Sequence, residues 1–148
     1  MTEIRFYHLQ RQRLEDALPA LLEKGRERGY RIVVQAGSPE RVRALDALLW
    51  TYRPDTFLAH GAAATGMAEE QPIWLTAVEE RPNDAEMLVL VDGAEASVDR
   101  YALCCEMFDG LDDDVVAAAR ARWSRYKEAG HALTYWQQGE RGGWEKKA

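Results

Sequence analysis

Apolar and polar positions follow two rhythms along this chain. EIRFYHL (3–9) alternates with a period near two and is rich in β-formers, which predicts a strand. In RLEDALPALLEKGRERG (13–29), Leu14, Leu18, Leu21 and Leu22 have helical spacing. Pro19 is awkward inside a helix, because it lacks an amide donor and its ring crowds the preceding turn. The regular helix is therefore expected to start near Ala17 or Leu18, with Pro19 in its first turn and Gly29 as C-terminal cap. YRIVVQAG (30–37) is a short apolar run between turn signals, the pattern of a buried strand. SPERVRALDALLW (38–50) opens with Ser38 as N-cap, Pro39 at the first helical position and Glu40 in the first turn. Val42, Leu45, Leu48 and Leu49 then form its apolar face.

Residues 51–71 are rich in Gly, Ala and Pro and read as a long loop. PIWLTAV (72–78) and EMLVLVDG (86–93) are strand candidates. Residues 95–110 read as a short helix followed by a strand from Leu103 to Phe108. Residues 112–130 read as a long helix with acids at its start, bases toward its end and Gly130 as stop. HALTYWQ (131–137) is a last strand, and 138–148 a flexible tail. Strands alternating with helices imply an α/β fold: one three-layer domain over 1–137, with a mostly parallel sheet flanked by helices.

The charge balance narrows the function. Against 19 Lys+Arg stand 25 Asp+Glu, a net charge of −6, which disfavours sequence-independent nucleic-acid binding by the whole surface. No apolar run approaches the ~18 residues that span a bilayer. The first residues lack a basic segment followed by an apolar one, so a cytoplasmic location is expected. Cys104 and Cys105 are adjacent, form no CxxC pair, and read as small buried apolar residues.

Little in the chain points to catalysis. GAAATG (61–66) has the glycines of a phosphate loop, but Met67-Ala68 stands where Lys-Ser/Thr is needed, so the phosphate loop is not a working one. Asp92, after MLVLV, reads as a turn or cap residue. His8, His60 and His131 are far apart and show no metal-ligand spacing. Asp112, Asp113 and Asp114 fit a helix start. No catalytic residue, metal or cofactor is expected.

The exception is the stretch from Arg120 to Lys127, which has four basic residues, no acid and the aromatics Trp123 and Tyr126. On a helix Val116, Arg120, Trp123 and Lys127 share one row, and Val115, Ala119, Arg122 and Tyr126 the next. Three readings follow. The first row can form a pocket with an apolar floor and cationic donors for carboxylates. Alternatively Trp123 packs on the sheet with arginines snorkelling around it. The mixture could also stack single-stranded bases through Arg120, Arg122, Trp123 and Tyr126, making the chain a single-stranded nucleic-acid-binding module.

FYHL in the first strand, LDALLWTYRPDTFLAHG (45–61) and RARWSRYKEAGHALTYW (120–136) resemble the chi subunit family of the bacterial DNA polymerase III holoenzyme. The resemblance implies a Rossmann-like fold without nucleotide chemistry. It implies a non-catalytic adaptor that joins the clamp-loader complex to single-stranded-DNA-binding protein by gripping that protein's acidic, Phe-ended C-terminal tail. By motif match Arg120 falls at the key basic position, Trp123 at an aromatic position where Tyr is usual, and Leu133 in the adjoining segment. Val116 and Lys127 join them from helical geometry. The resemblance also assigns Trp50 and Phe57 to a face for the psi subunit or a helicase-like partner. Ser124 departs from the family, standing where a basic residue is common. DNA is contacted only indirectly in this reading, and no membrane is involved.

Overall fold

The computed structural model describes residues 2–10, 12–52, 59–63, 65–139 and 143–148. In chain order the elements are β1 (Glu3–Leu9), α1 (Leu14–Glu27), β2 (Ile32–Gln35), α2 (Pro39–Thr51), a 3₁₀ turn (Ala68–Glu70), β3 (Ile73–Thr76), β4 (Met87–Leu90), β5 (Leu103–Asp109), α3 (Asp113–Glu128), β6 (Ala132–Gln138) and β7 (Trp144–Lys146). The seven strands form one sheet in the order β3-β2-β4-β5-β1-β6-β7. All neighbours are parallel except β6 and β7. The expected three-layer α/β architecture is therefore the observed one. IVVQ and MLVL, the interior strands β2 and β4, are buried at every position, as strands covered on both faces must be.

Each face of the sheet has its own core. Beneath α1 and α2 the core is mostly aliphatic, with Leu18, Leu22, Val34, Leu45 and Val89 among its members. Beneath α3 it is richer in aromatics, with Phe6, Trp74, Tyr101 and Phe108 fully packed. Ser38 caps α2 as expected, its hydroxyl accepting from the Arg41 amide at 3.2 Å.

Three elements differ from the sequence reading. α1 begins at Leu14, so Pro19 lies inside it rather than in its first turn. The Arg13 carbonyl starts the helix by accepting from the Asp16 and Ala17 amides. Pro19 cannot donate to the Glu15 carbonyl, but Ala17, Leu18, Pro19 and Leu22 are all buried against the sheet. That burial offsets the lost bond. Residues 95–102 hold no helix. The carbonyls that a helix there would use are taken elsewhere: Gln35 donates to the Glu95 carbonyl, and Thr2 Oγ1 contacts those of Val98 and Tyr101 at 2.9 Å each. Val98 and Tyr101 plug the α3-side core instead. Residues 144–146, expected within the tail, form β7 and pair with Trp136–Gln138.

Gly61, the first residue of GAAATG, serves the sheet edge, where it bridges Trp74. Asp92 is a turn residue at φ +58°; its carboxylate accepts from the Gly37 amide at 3.3 Å and from Arg41 Nε at 3.0 Å.

A candidate peptide-binding seam along α3 and β6

α3 starts where Asp112 accepts from the Asp114 and Val115 amides, with Asp113 and Asp114 in the first turn and Arg125 and Lys127 in the last. Each charge complements the helix dipole at its own end. The helix ends at Ala129, and Gly130 takes φ +89°, a conformation that favours glycine. The chain then returns as β6 beside β1, which places Leu133 level with Ile4 and Tyr135 level with Phe6.

The two helical rows have different surroundings. Ala119 and Arg122 are the buried residues of α3. Arg122, 5% exposed, forms an ion pair with Glu106 of β5, 2% exposed. Burial pushes the Glu106 carboxyl up to about 7, against the opposing pull of Arg122. Tyr126 packs edge-on against Phe6 with 6.1 Å between ring centres. Of the four residues considered for stacking bases, Arg120, Arg122, Trp123 and Tyr126, the structure leaves Arg122 buried and paired and Tyr126 half-buried against the core.

The outer row borders solvent. Trp123 is half-buried, with its ring edge-on to Phe6 at 5.3 Å and to Tyr135 at 5.9 Å. Both earlier readings of Trp123 thus hold in part: it packs on the sheet and keeps exposed surface. Val116 and Leu133 are also half-buried, and both pack on the α3-side core with Trp123. Arg120 and Lys127 are exposed, one turn to either side of Trp123. Of the four cations in this stretch, Arg122 pairs with Glu106 and Arg125 with Glu95. Among the described residues neither Arg120 nor Lys127 meets a carboxylate.

Two residues beside Arg120 escaped the sequence reading. The Tyr135 hydroxyl lies 2.6 Å from His8 Nδ1. Burial lowers the His8 pKa; a hydrogen bond to the Gly110 backbone opposes this and the Arg120 charge reinforces it. Burial raises the Tyr135 pKa, and Arg120 opposes the rise. Arg120 therefore sits within electrostatic reach of a fixed aromatic pair. Glu106 escaped as well. Its signal is a lone carboxylate in LCCEMF, a strand otherwise apolar, which requires a buried partner.

The second candidate face is only partly described. Trp50, in the last turn of α2, is 56% exposed and lies tilted against His60 with 4.8 Å between ring centres, so it does not close the core behind the helix. Phe57 lies outside the described residues. Among those described, no cluster of three or more His, Cys, Asp or Glu residues could hold a metal, and no helix is long and apolar enough to cross a membrane.

Comparison with known proteins adds two findings. A probable DNA polymerase III subunit chi from Rickettsia prowazekii (strain Madrid E) is 28% identical over 91 residues. That match takes in 62% of this chain and 55% of the relative, so the chain spans about half the length of the curated relative it matches. The family described as DNA polymerase III chi subunit, HolC, matches residues 1–134, from the first strand through α3 to Leu133 and Thr134 of β6. With that match covering nearly the whole α/β sheet, the chain belongs to the DNA polymerase III chi subunit family.

Proposed function

We propose that this chain is a non-catalytic accessory subunit of DNA replication that links the clamp-loader complex to single-stranded-DNA-binding protein. The α3–β6 seam grips the acidic, Phe-ended tail of that protein. One observation carries the reading: two cations without a carboxylate, Arg120 and Lys127, flank a half-buried aromatic, Trp123, beside Leu133. Arg120 pairs with tail carboxylates, and Val116, Trp123 and Leu133 supply apolar surface for the terminal Phe. A charge-assisted contact of this kind contributes about 1.5–3 kcal/mol. Two or three contacts give a dissociation constant of roughly micromolar order. Trp50 and Phe57 form the face for a psi subunit or helicase-like partner.

Fluorescence anisotropy with a labelled tail peptide tests the reading, using wild type, Arg120→Ala and Trp123→Ala at low and high salt. The expected result is micromolar binding that weakens with salt and is largely lost in Arg120→Ala. A folded wild type that fails to bind the peptide would falsify it.

A further inference from the structure

The sheet carries a second concavity on the face opposite α3. α1 packs over β2 and β5. Gly25 draws it down there: a Cβ at that position would lie 2.8 Å from Met87 Sδ and 2.9 Å from Ile32 Cδ1. The β1, β6 and β7 side of this face lies beyond the helix, and the wedge between them is a cavity of about 240 Å³. Met87, Leu103, Cys105 and Met107 line its interior. Trp136 and Trp144 wall it on the sheet side, and the Trp144 ring meets Tyr7 edge-on at 5.0 Å. Both tryptophans lie past residue 134, where the family match ends.

The cavity is ringed by positive charge on a chain whose net charge is −6. Arg5, Lys24 and Arg28 reach it. Lys146 stands opposite Trp136 in the β6–β7 ladder and so shares its face. Arg5 is engaged by Glu3 at 2.6 Å. Among the described residues Lys24, Arg28 and Lys146 meet no carboxylate. From this we infer a second binding site, for an acidic peptide that inserts one large apolar side chain between Trp136, Trp144 and α1. Lys24, Arg28 and Lys146 pair with the flanking carboxylates.

The volume and the lining both favour that occupant. The cavity is smaller than the ~300–1,000 Å³ of a drug-sized pocket and suits a single side chain. Its thioether, thiol and aliphatic interior gives a nucleobase edge few partners, and each unpaired polar group taken from water costs about 1–3 kcal/mol. An aliphatic or aromatic side chain carries no such cost. The rim cations act at close range and steer acidic partners toward this face of an otherwise acidic protein.

The test is site-resolved. Indole N–H signals of the ¹⁵N-labelled full chain are followed while adding a terminally blocked acidic hexapeptide with one central Phe, and separately an oligothymidylate. The expected result is that the Trp136 and Trp144 signals move with the peptide and the Trp50 and Trp74 signals do not. In the double variant Lys24→Glu/Arg28→Glu, which alters two exposed positions at the end of α1, the movement should require about tenfold more peptide or more. Still signals for Trp136 and Trp144 at millimolar peptide overturn the inference. So does movement that survives the charge reversal, or stronger movement with oligothymidylate than with peptide. Movement of Trp123 alone overturns this site and leaves the α3–β6 seam intact. Movement of Trp136 and Trp144 with a silent Trp123 supports this site and shows it to be separate from the seam, whose own test is the Phe-ended tail.

Discussion

Arg120 and Arg122 stand two residues apart on α3 and point to opposite environments. Arg122 is enclosed between helix and sheet and bound to Glu106; Arg120 is exposed and meets no carboxylate among the described residues. In sequence the two belong to one basic stripe. In the fold one anchors the helix and the other is available to a partner. The difference arises because the helix turns about 100° per residue, so neighbouring cations reach different surroundings. A buried carboxylate on β5, Glu106, gives the inward-facing one its partner. The cationic stripe of an acidic protein is thus two features with separate energetics, and each can be disturbed without the other.

The largest expected effect separates them on the inner side. Arg122→Ala leaves Glu106 buried without its cation and should lower stability by about 3–5 kcal/mol, read from denaturant unfolding. Next comes pH. The folded pKa of Glu106, about 7, lies above the ordinary 4.5, so the folded protein holds this proton more tightly than the unfolded chain. Its contribution to stability is complete below about 4.5 and is lost as pH rises through about 7. Thermal melts should show wild type losing stability relative to Glu106→Gln between pH 5 and pH 8; a constant difference would refute the burial of an ionisable Glu106. On the outer side, Arg120→Ala should change stability by less than about 0.5 kcal/mol. The same variant should weaken tail binding by about 1.5–3 kcal/mol, roughly tenfold or more. Lys127→Ala is the smallest, about 0.2–1 kcal/mol in binding and vanishing at high salt, because its side chain is exposed. If Arg122→Ala and Arg120→Ala behaved alike in both assays, the division of the helix into two rows would fail.

Much of the fold is legible in the residues themselves. Ser38-Pro39-Glu40 marks the start of α2, and Asp112 with Gly130 brackets α3, because capping is a local event. IVVQ and MLVL announce buried parallel strands. What stays hidden is set by distant partners. Pro19 enters α1 because the sheet buries its surroundings. Residues 95–102 forgo a helix because Gln35 and Thr2 hold their carbonyls. β7 escapes because three residues, WEK, carry too short a pattern to read. In the seam, helical spacing gathers Val116, Arg120, Trp123 and Lys127, but not Tyr135 and His8, which arrive from two strands. The α1-side cavity was illegible because it depends on how far α1 reaches across the sheet.

The sheet's two borders set how a partner can approach. At one border Gly61 covers β3, its amide donating to the Ile73 carbonyl and its own carbonyl accepting from Leu75. At the other, β7 is three residues long, and two of them are charged. Both devices discourage strand addition from outside. A captured peptide is then held through side chains rather than through a backbone ladder. N-methylating its internal amides should cost little affinity, whereas neutralising its carboxylates should cost nearly all of it.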